Sequence, residues 1–190
     1  MAGRGSERSD PLVGGRPGLT VGSLQMANQE TLTPGFVVRP AKAAEFSLVE
    51  PLWAALYKHQ KQHGMLLELS PDSFKDWATS MKIALGRFSC LFVAELHGEL
   101  IGFLAGSVKT LPPYFGGSPV GFISEVYVSE EHRTKNVGRS LMSLAAEWFA
   151  AQRVHRIELQ VLLGNSGARR FYRDLGWKEE LVQMIWKPAK

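Results

Sequence analysis

The 190-residue sequence contains little cysteine, no long apolar run and no cluster of metal-binding side chains. Its single cysteine, Cys90, excludes an intramolecular disulfide, and the apolar residues around it predict a buried small hydrophobe in a reducing, cytoplasmic setting. No segment approaches the roughly 18–20 apolar residues that span a bilayer, so we expect no membrane partner. His59 and His63 would share one helix face, but no acidic or sulfur ligand follows at a useful spacing, so we expect no metal.

Basic residues exceed acidic ones, which gives the chain a net charge of +4. Such an excess can serve a nucleic acid, an anionic cofactor or solubility alone. Residues 1–35 contribute none of it, because their arginines are balanced by an equal number of acidic residues. The remaining basic groups are short and lie at the ends of predicted elements, without the interleaved aromatic residues on which bases stack. The pattern therefore favours an anionic small cofactor and predicts no nucleic-acid partner.

The first part of the chain differs in composition from the rest. Residues 1–34 are rich in Gly, Ser and Pro and show no sustained hydrophobic period, which predicts a disordered leader. They lack the apolar core of a secretory signal, and their acidic residues argue against an organelle transit peptide. Met26 is an alternative start for the native chain. We expect a single domain over residues 35–190.

Apolar residues at helical spacing predict four helices, over residues 43–63, 70–85, from 137 onward and 165–175. Pro51 inside the first indicates either a kink or a new helix start near Glu50. Ser70 and Pro71 are typical of a capping residue followed by the first residue of a helix. Asn165 is the predicted cap of the last helix.

Runs of β-branched and aromatic residues predict strands over 36–39, 91–96, 100–108, 120–128, 156–162 and 177–186, the last as one strand or a broken pair. The tight turn at 97–99 makes the second and third strands a hairpin. The resulting order is β-α-α-β-β-β-α-β-α-β. It predicts an α/β fold in which a mixed sheet carries helices on both faces.

Two features leave their roles open. The Pro/Gly-rich segment 110–119 is either a mobile lid or a plain connector between strands. Large aromatic residues on the first two helices are either core residues or, for one or two of them, part of a substrate pocket. These residues are Trp53, Tyr57, Phe74 and Trp77.

The stretch 126–147 (VYVSEEHRTKNVGRSLMSLAAE) joins the end of a strand, a basic turn and the start of an amphipathic helix. The first N–H groups of such a helix have no partner within it. Together with the nearby Arg and Lys side chains, they favour an anion at the helix start. The turn is thus either a phosphate-binding site or an ordinary strand-to-helix connection on a basic surface.

The residues from about Phe36 to Pro188 resemble the Gcn5-related N-acetyltransferase (GNAT) family. The family's signature turn has Arg or Gln, two residues, Gly, one residue, then Gly or Ala, which corresponds here to 133–138 (RTKNVG). Asn136 replaces the first Gly, and Asn tolerates a left-handed backbone better than most residues. A second motif, LLGNSGARRFYRDLGW, has the family's spacing of Asn, Ala, Phe-Tyr and Gly.

The resemblance implies an enzyme that moves an acetyl group from acetyl-CoA to a primary amine of a small molecule. It implies that the strand backbone binds the pantetheine arm, that the turn holds the pyrophosphate, and that the second motif contacts the cofactor near its sulfur. The cofactor-binding residues implied are Val126, Tyr127, Val128, Arg133, Thr134, Lys135, Asn136, Val137, Gly138, Arg139, Asn165 and Tyr172. Members of the family often pair, so a homodimer is a further expectation.

Attack on a thioester requires an amine that has lost a proton, a donor for the tetrahedral oxyanion and a proton for the departing thiolate. We expect Glu125 to be the base, the N–H of Val128 to be the oxyanion donor, and the hydroxyl of Tyr172 to protonate the thiolate. The alternative for Glu125 is a structural ion pair with a basic side chain. We expect Glu158 to face solvent or a salt bridge instead of the reaction.

Other functions remain open at this point. Ribosomal-protein N-terminal acetyltransferases resemble this chain but usually carry Glu where Gln160 stands, and an amide cannot accept a proton at neutral pH, which weakens transfer to protein N-termini or lysines by that route. A CoA-binding sensor or interaction module without turnover is the alternative from a different class. Acidic residues of the first two helices could attract a cationic acceptor: Glu45, Glu50, Glu68, Asp72 and Asp76.

Overall fold

Five strands form one sheet in the order β1-β2-β3-β4-β5. The structure, a computed structural model, describes residues 35–186, so the leader predicted for 1–34 lies outside the described residues. The strands are β1 (Val37–Pro40), β2 (Ser89–Leu96), β3 (Glu99–Thr110), β4 (Pro119–Val128) and β5 (Ile157–Leu159). The first four pair antiparallel, and β5 pairs parallel with β4. The predicted mixed sheet is confirmed.

Four α-helices connect the strands: α1 (Phe46–Gln62), α2 (Ser73–Ala84), α3 (Val137–Ala151) and α4 (Ser166–Asp174). Short 3-10 turns lie at Ala43–Glu45, Pro113–Phe115 and Glu130–His132. Helices α1 and α2 pack on one face of the sheet, and α3 and α4 pack on the other. The α/β fold class with helices on both faces is therefore confirmed.

Two hydrophobic cores lie on the two faces of the sheet. The first contains Trp53, Leu91 and Phe103 and is covered by α1 and α2. The second contains Leu104 and Phe149 and is covered by α3, with aromatic residues of α4 packed against it. Cys90 belongs to the second core and is 4% exposed, which confirms its expected burial.

A β-bulge at Ser124 changes which way the end of β4 faces. The register with β3 shifts here, since Ala105 pairs with Glu125 whereas Gly106 pairs with Ile123. An extra residue in one strand turns the following side chains over and increases the local twist. After the bulge, Glu125 lies on the α1/α2 face, as does Tyr127, while Val126 packs into the second core.

The closing strand predicted over 177–186 is wrong: within the described residues this segment is irregular. A strand there needs a partner and a buried face, but β5 ends after Leu159 and the segment's apolar side chains are exposed, Leu181 by 90% and Met184 by 87%. Ion pairs hold the start of the segment instead, from Arg156 to Glu180 and from Arg169 to Glu179.

Helix limits also differ from the sequence-based prediction. Helix α1 is continuous through Pro51, so the second start near Glu50 is wrong. Helix α2 begins at Ser73, because the Ser73 N–H bonds the carbonyl of Ser70 and makes the preceding residues a turn, not a helix cap. Asn165 does cap α4, as predicted, and its side-chain oxygen accepts the N–H of Ala168.

Among residues 35–186, no helix is long and apolar enough to cross a membrane. The same part of the chain contains no group of three or more His, Cys, Asp or Glu side chains that could hold a metal ion. His59 and His63 do share one face of α1, with ring centroids 4.5 Å apart.

Candidate functional site

The sheet opens between β4 and β5, and this opening is the centre of the site. The two strands pair only where Gly121–Ile123 meets Ile157–Leu159. Beyond that point β5 ends, while β4 continues through Val128 along β3. The bulge at Ser124 lies where the two strands part, as expected from the extra twist that a bulge introduces. The last residues of β4 thus border a cleft.

The backbone of Val126 and Val128 faces that cleft. The Ser129 N–H bonds the carbonyl of Ile101 on β3 at 2.9 Å. Because alternate residues of an antiparallel strand point their N–H and C=O groups to opposite edges, Tyr127 also faces β3. Val126 and Val128 therefore present their backbone groups to the side vacated by β5. This edge can accept an extended ligand as if it were a further strand.

A strained turn leads from β4 into α3. Thr134 and Asn136 both adopt left-handed backbone conformations, with φ of 64° and 62°. Such values are uncommon for residues other than Gly and are found preferentially at functional sites. The expectation that Asn136 can adopt this conformation is confirmed.

The start of α3 presents free backbone donors. The Ser140 N–H bonds the Asn136 carbonyl at 3.0 Å, which is the first hydrogen bond of the helix. Among the described residues, no backbone acceptor engages the N–H groups of Val137, Gly138 or Arg139. Such donors, together with the positive end of the helix dipole, favour an anion at this position.

Gly138 brings the turn against α4. A Cβ atom at this position would lie 3.2 Å from the ring of Phe171, which is closer than most side chains allow. Gly138 is not in the left-handed region. Its contribution is therefore a close approach between the start of α3 and α4, so that the two sequence motifs lie side by side.

The side chain of Arg133 turns back onto β4. Its Nε donates to the carbonyl of Val128 at 3.2 Å, and its guanidinium lies 5.7 Å from the ring centroid of Tyr127. Glu130 lies 3.6 Å from the same guanidinium. The Arg133 side chain thus caps the end of β4, and the carbonyl it occupies is one of the groups on the open edge.

Tyr172 lies on α4 at the edge of the second core. Its ring contacts Phe171 and Trp177, with centroids 5.2 and 6.0 Å away. Burial raises the pKa of Tyr172 to about 12. The phenol therefore stays protonated at neutral pH, which is the form that a proton donor needs.

Glu125 is the buried carboxylate of the site, with 6% of its surface exposed. The hydroxyl of Tyr57 donates to one of its oxygens at 3.4 Å, and the other oxygen, Oε2, has no partner among the described residues. Burial raises the pKa of Glu125, while the nearby polar groups of Ser124, Trp77 and Tyr57 lower it less strongly. No basic side chain within residues 35–186 pairs with Glu125, so this part of the chain does not contain the ion pair that was the alternative role for this carboxylate.

Glu125 and Tyr172 belong to different faces of the sheet. Glu125 lies among the side chains of α1 and α2, whereas Tyr172 packs with α3 and α4. No hydrogen bond joins the two among the described residues. The two faces of the sheet meet at the cleft between β4 and β5. Glu158, by contrast, forms an ion pair with Arg156 at 2.6 Å, as expected.

The end of α1 reaches the second motif, which the sequence did not indicate. His63 Nδ1 lies 3.1 Å from the carbonyl of Gly164, and a Cβ atom at Gly164 would lie 2.6 Å from the carbonyl oxygen of His63. Burial lowers the pKa of His59, and Arg133 lowers it further. The contact between His63 and Gly164 joins residues 101 positions apart, so no local sequence pattern predicts it.

Comparison with known proteins gives one family. Residues 51–177 match the model of the acetyltransferase (GNAT) family. An uncharacterized N-acetyltransferase of Methanocaldococcus jannaschii is 34% identical over 96 residues, which cover 50% of this chain and 42% of that protein. An N-alpha-acetyltransferase of Sulfurisphaera tokodaii is 31% identical over 104 residues, which cover 50% of this chain and 59% of that protein. The chain thus spans less than two thirds of either relative.

Solved structures share the fold. An aminoglycoside N-acetyltransferase, AAC(6')-Iy, solved in complex with CoA, superposes with a TM-score of 0.66 and 16% sequence identity. The similarity covers 82% of this chain and 95% of that one. At this identity the likeness concerns the fold alone.

Proposed function

The chain belongs to the GNAT family of acetyltransferases, and we propose that it transfers an acetyl group from acetyl-CoA to a primary amine of a small molecule. The observation that carries the proposal is the open edge of β4 beside the free N–H groups at the start of α3. A ligand with an extended arm next to a phosphate group matches these two features, because the arm can lie along the β4 edge while the phosphate meets the N–H groups. A pantetheine arm joined to a pyrophosphate has this chemistry.

The residues present fit such a ligand. Val126 and Val128 offer backbone donors and acceptors to the pantetheine amides. The N–H groups of Val137, Gly138 and Arg139 offer an anion site to the pyrophosphate. Lys135 and Arg139 add positive charge at the same turn. Arg133 bonds the Val128 carbonyl through its side chain, so its contribution to the anion would come from its backbone.

Acetyl-CoA supplies an activated acyl group and a thiolate leaving group. Glu125 accepts a proton from the incoming ammonium, directly or through water, so that the neutral amine can attack. A carbon–nitrogen bond then forms, and the N–H of Val128 donates to the oxyanion. The carbon–sulfur bond breaks, and Tyr172 donates its proton to the departing thiolate. The nitrogen of the intermediate still carries one proton more than the amide product, and it releases that proton through water to the Tyr172 phenolate, while the proton on Glu125 returns to solvent. General acid catalysis of this kind contributes on the order of 10²–10⁴ in rate.

The pKa directions suit these roles. A raised pKa brings the carboxyl of Glu125 closer to neutral pH, where a general base is most effective. The pKa of about 12 at Tyr172 keeps its proton in place until a thiolate develops beside it. Tyr57, which bonds Glu125, is a positioning residue in this scheme.

Thiol release from acetyl-CoA in the presence of a panel of small amines tests the proposal. We expect amine-dependent release that saturates with both substrates, and an acetylated amine identified by mass spectrometry. CoA binding in calorimetry without turnover of any amine would instead support a binding module. The left-handed Asn136 gives that alternative no support, because the turn keeps the conformation that the family's Gly would provide.

Transfer to the α-amine of a polypeptide is the second candidate, and the similarity to an N-alpha-acetyltransferase favours it. Gln160 stands against it, because its amide is exposed and cannot accept a proton at neutral pH. Including short peptides with free N-termini in the amine panel separates the two candidates.

A further inference from the structure

A buried carboxylate without a cation needs a partner that the described chain does not provide. Glu125 is 6% exposed and its Oε2 is unpartnered among the described residues. From α1, the titratable group that faces it is Tyr57, and α2 contributes only the indole of Trp77. A buried charge is costly unless it is paired. Burial alone favours the protonated carboxyl, so it is the ionised form of Glu125, the form that acts as a base, that gains from a cation entering the site.

The surroundings of this carboxylate are aromatic. The rings of Tyr57, Trp77 and Tyr127 are half-buried and pack against the first core from α1, α2 and β4. Trp53 lies behind them, with its ring centroid 4.4 Å from that of Tyr57 and 6.0 Å from that of Trp77. The indole N–H of Trp53 is buried and also lacks a partner among the described residues.

Of the acidic residues predicted to attract a cationic acceptor, Asp76 is exposed on α2, and the others are already engaged or face elsewhere. Glu45 is held by Arg39, and Glu68 by Lys61. Glu50 and Asp72 line a groove of about 380 Å³ between α1 and α2, and Glu125 is not among the residues that line that groove. The aromatic site thus presents a single buried negative charge to an acceptor.

These features select one class of amine. A single ammonium ion gains an ion pair with Glu125 and cation–π attraction from the surrounding rings. The remainder of the acceptor meets aromatic surface, so an apolar substituent is favoured. A polycation would also have to bury its further charges in this site without a carboxylate for each, and burying an unpaired charge is costly.

We propose that the acceptor is a small monocationic primary amine with an apolar, preferably aromatic, substituent. The inference rests on the proposed acetyl transfer and narrows its substrate class. This class differs from the aminoglycosides for which one enzyme that shares the fold is named.

The test compares kcat/KM for four acceptors with the full chain at one ionic strength: 2-phenylethylamine, n-butylamine, spermidine and kanamycin. We expect at least a tenfold preference for 2-phenylethylamine over either polycation, with n-butylamine in between. A preference for spermidine or kanamycin overturns the inference while leaving acetyl transfer intact. If none of the amines is acetylated although CoA binds, the proposed function itself fails.

A matched pair of variants tests the aromatic wall. Trp77→Leu is expected to raise KM for 2-phenylethylamine about tenfold and KM for n-butylamine less. Trp77→Phe keeps an aromatic ring, so its preference for 2-phenylethylamine over n-butylamine should stay close to that of the unmodified chain. Phe88→Leu is the control, since Phe88 is half exposed and outside the site. An equal change for both amines in Trp77→Leu contradicts the inference, and the comparison of acceptors on the unmodified chain stands even if that variant does not fold.

Discussion

The hydroxyl of Tyr57 donates a hydrogen bond to a carboxylate oxygen of Glu125 across 3.4 Å. The bond joins α1 to β4 and spans 68 positions of sequence. It orients the one buried carboxylate of the α1/α2 face, because the second oxygen of Glu125 has no partner among the described residues. The acceptor side of the site therefore depends on how α1 packs on the sheet.

Replacing Tyr57 by Phe is expected to shift the pH profile of acetyl transfer. The hydroxyl favours the ionised form of Glu125, so its loss raises the pKa of that carboxyl further. Because the base acts when ionised, the acid limb of kcat/KM moves to higher pH, by about half a unit to one unit for one weak hydrogen bond. An unchanged limb with a lower maximum would mean that Tyr57 has only a packing role. Tyr114→Phe, at an exposed ring, controls for loss of a phenol.

Replacing Glu125 by Gln is expected to stabilise the protein at neutral pH while it abolishes most activity. Burial raises the pKa of Glu125, so the folded state binds its proton more tightly than the unfolded chain does. This contribution to stability is full below the unfolded pKa and is lost as pH rises through the folded pKa.

Thermal unfolding of the two proteins at several pH values measures the effect. At pH 8 the Gln variant should have the higher Tm, and its advantage should shrink toward pH 4. Glu158→Gln, which removes a half-exposed ion pair with Arg156, should leave Tm within about a degree. A gain that does not depend on pH would argue against the raised pKa.

Removing the hydroxyl of Tyr172 is expected to lower kcat far more than it weakens CoA binding. The loss should be on the order of 10²-fold if the phenol protonates the thiolate. The pKa of about 12 also means that the Tyr172 phenol does not titrate below pH 10. A fall in kcat at alkaline pH below that value must therefore come from another group. Tyr172→Phe kinetics with calorimetry of CoA binding decide this. A variant with full kcat would remove Tyr172 from the mechanism.

The turn before α3 is expected to tolerate Gly at position 136 and to reject a β-branched residue. Asn136→Gly keeps φ near 62° at no steric cost, so CoA affinity should stay within about twofold. Asn136→Val forces a β-branched residue into the left-handed region, at a cost of about 1–3 kcal/mol, and should weaken CoA binding at least tenfold in calorimetry. If the Asn136→Gly variant bound CoA much more tightly, Asn136 would instead be a residue that lowers the affinity of this turn for CoA.

Local patterns in the sequence were sufficient for most of the fold. The alternation in β2 to β4 and the helical period of α3 each describe an element that buries one face, and such faces are visible in sequence. The cap at Asn165 is likewise local, since its partner Ala168 is three residues away. The closing strand was predicted wrongly because a strand also needs a neighbouring edge, which β5 does not extend far enough to provide.

The turn from β4 to α3 was recognisable from its residues alone, because the free N–H groups of a helix start follow from where the helix begins. The acceptor side was decided only by tertiary structure. The bulge at Ser124 turns Glu125 toward α1 and α2, and the packing of α1 brings Tyr57 to it. Both depend on contacts between residues far apart in the chain, and a periodic pattern cannot report on such contacts. The sequence thus predicted where an anionic cofactor would bind, while the fold determined that Glu125 is buried on the α1/α2 face and which side chains surround it.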